Sequence, residues 1–244
     1  MTLPGHDAPT WLFVPGTLCD ARVFDPVIMA LDTTVSGGVR VVPRLDCASL
    51  AALADEAVVG MAPNFQVVGF SLGCQVVMEI MRRYPERCIG LVLISTTAHA
   101  DAPEMAPVRR EMVSRFAQLG PHEFVETHLW PLYVAAPKTA RPEIKKLVMD
   151  MACKTPCSTF ADQIELAIGR PSSLADVARF DAPLLMINGA QDALTSTQMG
   201  AEIVAAAPDG TQAIIPNAGH FVLLEEAQRT SDAIREWCAG HVMR

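Results

Sequence analysis

Six short runs of Val, Ile, Leu and Phe punctuate the chain: WLFV (11–14), VRVV (39–42), FQVVGF (65–70), IGLVLIS (89–95), PLLMING (183–189) and TQAIIP (211–216). They read as strands apolar on both faces, which predicts a parallel sheet covered by helices on each side. Helical periodicity fills the intervals at 22–31, 49–61, 72–83, 196–206 and 223–238. Strand alternating with helix predicts an α/β, doubly wound architecture.

The rhythm breaks once. After the strand ending at Ser95, about 85 residues pass before the next strand. That interval carries helical patterns near 104–119, 121–129, 141–153 and 158–168, separated by prolines such as Pro121, Pro131, Pro156 and Pro171. A helical insertion in one long strand-to-strand connection predicts a lid over one end of the sheet. The expected organisation is a core over 1–98 and 173–244, with a helical lid subdomain over 99–172.

Composition narrows the function classes. The chain has 244 residues, of which half are hydrophobic and 19% charged, so it can bury a large core. A net charge of −8 argues against nucleic acid or an anionic membrane as partner, since both need clustered Lys and Arg. Basic pairs in the middle third, Arg109-Arg110 and Lys145-Lys146, read as solvated helix faces rather than docking sites. No apolar run approaches the ~18 residues of a membrane span, and Met1–Thr10 has no basic segment of a secretory leader. Seven cysteines without a leader suit free thiols in a reducing cytoplasm. Cys153 and Cys157 have no nearby Cys or His pair to complete a zinc site, so no metal is expected.

The chemistry sits where strands end. In VVGFSLG, Ser71 falls between a buried strand and an amphipathic helix, with Gly69 and Gly73 two residues to either side. A serine alcohol is a poor nucleophile, so it needs exposure, a base and somewhere for negative charge to go. A sharp strand–Ser–helix turn supplies the exposure. Gly-x-Ser-x-Gly alone is a weak signal, and its context gives it weight. The Leu72 N–H, at the positive end of the helix, is a candidate oxyanion donor. A second donor is expected from the bend in WLFVPGTLCD, at Thr17 or, one residue on, Leu18. Of six histidines, His220 follows a strand and loop in IIPNAGHFVLLEE, and loops after strands gather at one edge of a doubly wound sheet. Asp192, in LLMINGAQDALT, lies on the same edge and is the expected partner of the imidazole.

The order Ser71…Asp192…His220, with a lid inserted before the acid, resembles the α/β-hydrolase superfamily over nearly the whole chain. The marks are VVGFSLG, LLMINGAQDALT and IIPNAGHFVLLEE, the last close to the family's usual xGHxxxxE ending. The resemblance implies an α/β-hydrolase fold of about six parallel strands flanked by helices, without the fold's first antiparallel hairpin. The family's oxyanion stretch usually begins His-Gly. Pro15-Gly16 stands here instead, so a side chain that normally supports the loop is missing. PGTLCDARVF and GRPSSLADVARFDAPLL are similar to small bacterial esterases related to pimeloyl-carrier-protein methyl ester esterase and enol-lactone hydrolases.

The expected chemistry is acyl transfer to water from a small ester, thioester or lactone through an acyl-enzyme on Ser71, with no cofactor. Lid side chains including Phe116, Phe124, Trp130, Leu132, Tyr133, Met149 and Phe160 are candidates for an apolar acyl pocket, although most are expected to pack lid helices together. Leu18, Trp130 and Tyr133 are the expected substrate contacts. Arg170 reads as a tie between lid and core, in preference to a residue aimed at the pocket. Cys74, one turn into the helix after Ser71, reads as a small buried filler. A cytoplasmic monomer or homodimer acting on a small-molecule ester is expected. Three rival functions remain: a lyase or cofactor-free perhydrolase on the same residues, a ligand receptor with slow hydrolysis, and a scaffold.

Overall fold

The computed structural model describes residues 9–136 and 141–241. Residues 1–8, which hold His6 and most of the segment read for a leader, lie outside that range, as does Pro137.

All six apolar runs are strands of one parallel sheet. They are β1 (Thr10–Val14), β2 (Val39–Val41), β3 (Phe65–Phe70), β4 (Cys88–Ile94), β5 (Leu184–Gly189) and β6 (Gly210–Ile215), in spatial order β2-β1-β3-β4-β5-β6. Successive residues point to opposite faces, and both faces are covered. Trp11, Phe13, Val68, Phe70, Val92 and Ile94 enter one core, while Leu12, Val14, Val67, Leu91 and Leu93 enter the other. That double burial explains why the strands show no polar alternation.

Helices α1 (Asp25–Leu31), α2 (Leu50–Val58) and α3 (Gly73–Arg83) follow the first three strands, and α1 packs on the terminal helix. Apolar residues of α1 share the core of Trp11 and Phe13, whereas those of α2 and α3 fill the opposite one. The chain therefore reverses its winding between β1 and β3. A crevice at the carboxyl ends of adjacent strands is the usual result of such a reversal. A strand-end crevice here collects the residues after β1 and after β3.

Between β4 and β5 lie α4 (Met105–Leu119), α5 (Pro121–Phe124), α6 (Trp130–Tyr133), α7 (Pro142–Cys153), α8 (Cys157–Gly169) and α9 (Leu174–Val177). Their apolar side chains, Phe116, Phe124, Val148 and Phe160 among them, are continuous with the core under Phe13 and Phe70. The sequence predicted one helix over 121–129. The structure instead places a π-helical turn at Val125–Leu129 between α5 and α6. Pro131, in the first turn of α6, has no amide hydrogen to donate into that turn.

The last helices are α10 (Thr197–Ala206), α11 (Val222–Glu225) and α12 (Ala227–His241). The expected helix over 223–238 is thus broken, at Glu226, whose φ of −134° and ψ of 52° leave the helical region. No helix among the described residues is long and apolar enough to cross a membrane.

Candidate active site

Ser71 is the first residue after β3, with φ +52°. Its amide donates to the Ile94 carbonyl of the neighbouring strand (2.9 Å), and its carbonyl accepts from the Cys74 amide (3.0 Å) and from Thr96 Oγ1 (3.2 Å). The flanking glycines are required by close approach. A Cβ on Gly69 would lie 2.8 Å from the Cys74 Cα, and one on Gly73 would lie 2.2 Å from the Val14 carbonyl oxygen. The helix after the serine thus abuts the backbone of two strands, which no side chain would permit. Left-handed non-glycine residues gather at this edge. Leu18, Ser71, Ser95 and Asn217, at φ between 51° and 59°, follow β1, β3, β4 and β6. Strained backbone of this kind persists where packing over-determines it, commonly at functional sites.

The three residues from separate loops meet. His220 Nε2 lies 2.9 Å from Ser71 Oγ, and His220 Nδ1 lies 2.9 Å from Asp192 Oδ2. The Asp192 side chain is wholly buried. Burial is the largest influence on it and pushes its carboxyl up, but the hydrogen bonds from His220 and from the Thr195 hydroxyl and amide outweigh burial and hold it below the ordinary range. The two loops are also joined directly, by the Gln191 amide donating to the Ala218 carbonyl (2.9 Å). Glu225 secures the histidine loop further. Its carboxylate accepts from the Gly219 amide and from the Ala135 amide of the insertion, both at 2.8 Å. Burial raises the Glu225 carboxyl despite those two bonds. Its position four residues past His220's neighbour Phe221 was visible only as the final letter of xGHxxxxE.

Among the described residues, no acceptor meets the Thr17 or the Leu72 amide, and both residues line the cavity above Ser71. The Leu18 amide is already engaged, donating to Gln163 Oε1 of α8 at 2.9 Å, which removes Leu18 as the alternative donor. Gln163 is fully buried, and its Nε2 donates to the Leu45 carbonyl (2.8 Å). A side chain from the insertion therefore braces the loop that Pro15-Gly16 left without its usual support. Sequence reasoning missed Gln163, because nothing local marks a buried glutamine on a helix 145 residues from its partner.

The cavity has a volume of about 370 Å³, within the range of small-molecule sites. Tyr133 and Phe160 line it, while Leu18 and Trp130 do not. Leu18 is packed into the core, and the Trp130 ring is buried beneath the Lys145 ammonium, 5.8 Å from its centroid. Phe116 and Phe124 do not line the cavity; they pack edge-on against each other and at a tilt against Phe160, and Leu132 is exposed. Ile164 and Ala167, which the sequence reading passed over, share a face of α8 with Phe160 and complete the apolar wall. The Tyr133 ring stacks on His220, and its hydroxyl, pushed upward first by burial and then by Cys19, donates to no acceptor among the described residues. Cys74 is buried with its thiol pushed up to about 12 by burial, and its sulfur faces the Ile94 carbonyl at 3.6 Å. It fills space beside the sheet.

A sequence model described as the alpha/beta hydrolase family matches residues 2–233. The chain is 25% identical over 197 residues to a pimeloyl-[acyl-carrier protein] methyl ester esterase of Serratia marcescens, covering 79% of this chain and 77% of the other. In structure it is similar to a thermophilic esterase from Thermogutta terrifontis, with a TM-score of 0.84, 25% identity, and 99% and 97% of the two chains covered. The enol-lactonase from Burkholderia xenovorans shares the fold at a TM-score of 0.80 and 18% identity, over 97% and 94% of the chains.

Proposed function

This chain belongs to the alpha/beta hydrolase family, and from that premise we propose that it is a serine hydrolase cleaving small carboxylic esters, thioesters or lactones through an acyl-enzyme on Ser71. One observation carries the reading: Ser71 Oγ, His220 and Asp192 form an unbroken chain of 2.9 Å contacts at the wall of a concave cavity. The esterase relatives support the reaction class.

In this reading Ser71 Oγ attacks the ester carbonyl while His220 Nε2 takes its proton. Asp192 holds the Nδ1–H tautomer and stabilises the imidazolium. The Thr17 and Leu72 amides, free of protein acceptors, receive the oxyanion, where each donor is worth ~10²–10³ in rate. The imidazolium protonates the departing alkoxide or thiolate. Water then attacks the acyl-enzyme with His220 again as base, releasing the acid and restoring the serine. The insertion over 99–172 serves as lid and supplies Tyr133 and the α8 face as the acyl wall. The enzyme acts on a small-molecule ester in the cytoplasm as monomer or homodimer, away from nucleic acid and membrane, a placement the net charge of −8 and the free thiols support.

The test is a panel of p-nitrophenyl esters graded by acyl length, with fluorophosphonate labelling in parallel. Wild type is expected to turn over short acyl chains and to label on Ser71. Ser71→Ala is expected to lose labelling and at least about 10⁴-fold in kcat, with an unchanged circular-dichroism spectrum. Equal turnover by wild type and Ser71→Ala overturns the reading.

A further inference from the structure

The cavity that reaches Ser71 has a second chemical feature. Asp101, just after β4, Arg109 of α4 and Arg170, just past α8, all line it. The sequence reading placed Arg109 with Arg110 on a solvated face. Only Arg110 is there, 58% exposed and paired with Glu165, whereas Arg109 turns inward.

The three side chains do not balance. Asp101 is a single carboxylate, 7% exposed, and both guanidinium groups bind it. Arg109 does so through Nε and Nη2, and Arg170 through Nη2 at 2.8 Å. Arg170 is consumed as a structural tie, because its Nε and Nη1 also donate to the His99 and Ala167 carbonyls. One cation would neutralise Asp101 and one suffices to bind the insertion to the core. Arg109 is the surplus. Neither hydrogen on its Nη1 meets an acceptor among the described residues, and its side chain is 25% exposed at the cavity wall. Burial lowers the Arg170 value, and Arg109 lowers it further against the pull of Asp101, as fits uncompensated positive charge in a half-dry site. In a protein of net charge −8, this is a local positive field inside a concave wall, where low dielectric strengthens it.

We propose that Arg109, held by Asp101 and backed by Arg170, is a carboxylate-binding subsite, so that the preferred substrate is a small ester that also bears a free carboxylate. One net positive charge matches a monoanion. A dianionic phosphate would meet the Asp101 carboxylate with its second charge unmatched. The Nε–Nη2 edge of Arg109 is taken by Asp101, which leaves the end of the guanidinium, Nη1 and the outer hydrogen of Nη2, to meet a carboxylate, and the apolar wall of Phe160, Ile164 and Ala167 suits the few methylenes between the two ends. This inference rests on the hydrolase reading for its word "substrate", but the binding of a carboxylate does not.

The experiment compares kcat/KM for mono-p-nitrophenyl glutarate and p-nitrophenyl valerate, which have acyl chains of equal length, one charged and one neutral. A second pair, carboxymethyl butyrate and ethyl butyrate followed by pH-stat, places the charge on the alcohol side. Wild type is expected to favour the charged member of one pair by about tenfold or more, with the preference shrinking severalfold in 0.5 M salt. Arg109→Gln is expected to reduce that preference at least tenfold, and Arg109→Lys to restore part of it. A ratio at or below one in both pairs, with the neutral esters turned over and Ser71 labelled, overturns the subsite and leaves the hydrolase standing. A preference untouched in Arg109→Gln also overturns it. If no ester is turned over and Ser71 resists labelling, the hydrolase reading has failed, and calorimetry with monomethyl and dimethyl glutarate decides the subsite. Tighter binding of the hemiester, lost in Arg109→Gln, supports it; equal or absent binding sinks it.

Discussion

Ser71 shows how few atoms decide a nucleophile turn. Its φ of +52° costs free energy that the contacts around Gly69 and Gly73 must offset, and those contacts exist only because both positions lack a Cβ. Gly73→Ala would drive a methyl group into the Val14 and Pro15 carbonyl oxygens, at 2.2 and 2.5 Å, and backbone cannot yield as a side chain does. The expected cost is about 3 kcal/mol or more, read as a fall of about 10 °C in Tm. Asp192→Asn separates geometry from electrostatics. It keeps the size of the side chain facing His220 but offers the wrong tautomer, so kcat is expected to fall by ~10⁴ while Ser71→Ala and this variant melt within a few degrees of wild type. Ser71, Asp192 and His220 were legible in the sequence because each follows an apolar strand by a short loop, and strand ends share an edge. Arg109 was not. Its neighbour in sequence faces water, and only the placement of α4 against Asp101 distinguishes the two.

At the scale of elements, the insertion between β4 and β5 reaches the site through single side chains. Gln163 of α8 joins the Leu18 amide to the Leu45 carbonyl, and Glu225 at the end of α11 joins the Gly219 and Ala135 amides. Gln163 is fully buried and Glu225 half-buried, and a buried polar group left unpaired costs ~1–3 kcal/mol. Gln163→Leu leaves the Leu18 N–H and the Leu45 C=O without partners. It is expected to lower Tm by about 5–10 °C and to cut kcat by up to ~10²-fold through the displaced Thr17 amide, with a smaller change in KM. Esterase kinetics beside a thermal melt check both. Strand and helix positions were readable because periodicity reports which faces are buried. The π turn at Val125–Leu129 and the break at Glu226 were not, since they answer to a proline one turn ahead and to a carboxylate fixed by residues from elsewhere in the chain.

For the whole molecule, the shifted carboxylates set the direction of acid sensitivity. Asp20, Asp101 and Asp192 are each pushed up by burial but pulled further down by their cationic and hydrogen-bonding partners, so their folded values lie below the ~3.9 of an unfolded chain. The unfolded state then binds more protons in that window. The stability they contribute is complete above about pH 4 to 5 and is lost as pH falls through the depressed values. Glu225, raised by burial, acts in the opposite sense and gives up stability as pH rises past ~4.3. Urea midpoints taken from pH 7 to pH 3 are expected to drop most steeply below pH 4. Asp101→Asn, which removes one of these depressed groups, is expected to start lower at pH 7 and fall less steeply; a slope equal to that of wild type would rule out Asp101 as a contributor.

By itself the sequence determined the sheet, the insertion and three loop residues, because burial on both strand faces and strand-end turns leave local patterns that survive in one dimension. The winding reversal between β1 and β3, the bracing of Leu18 by Gln163 and the inward turn of Arg109 were decided only by tertiary structure. Each depends on how elements pack against one another: Gln163 meets Leu18 across 145 residues, and Arg109 meets Asp101 only because α4 turns that face toward the cavity, so neither contact leaves a mark on the neighbouring residues in the chain.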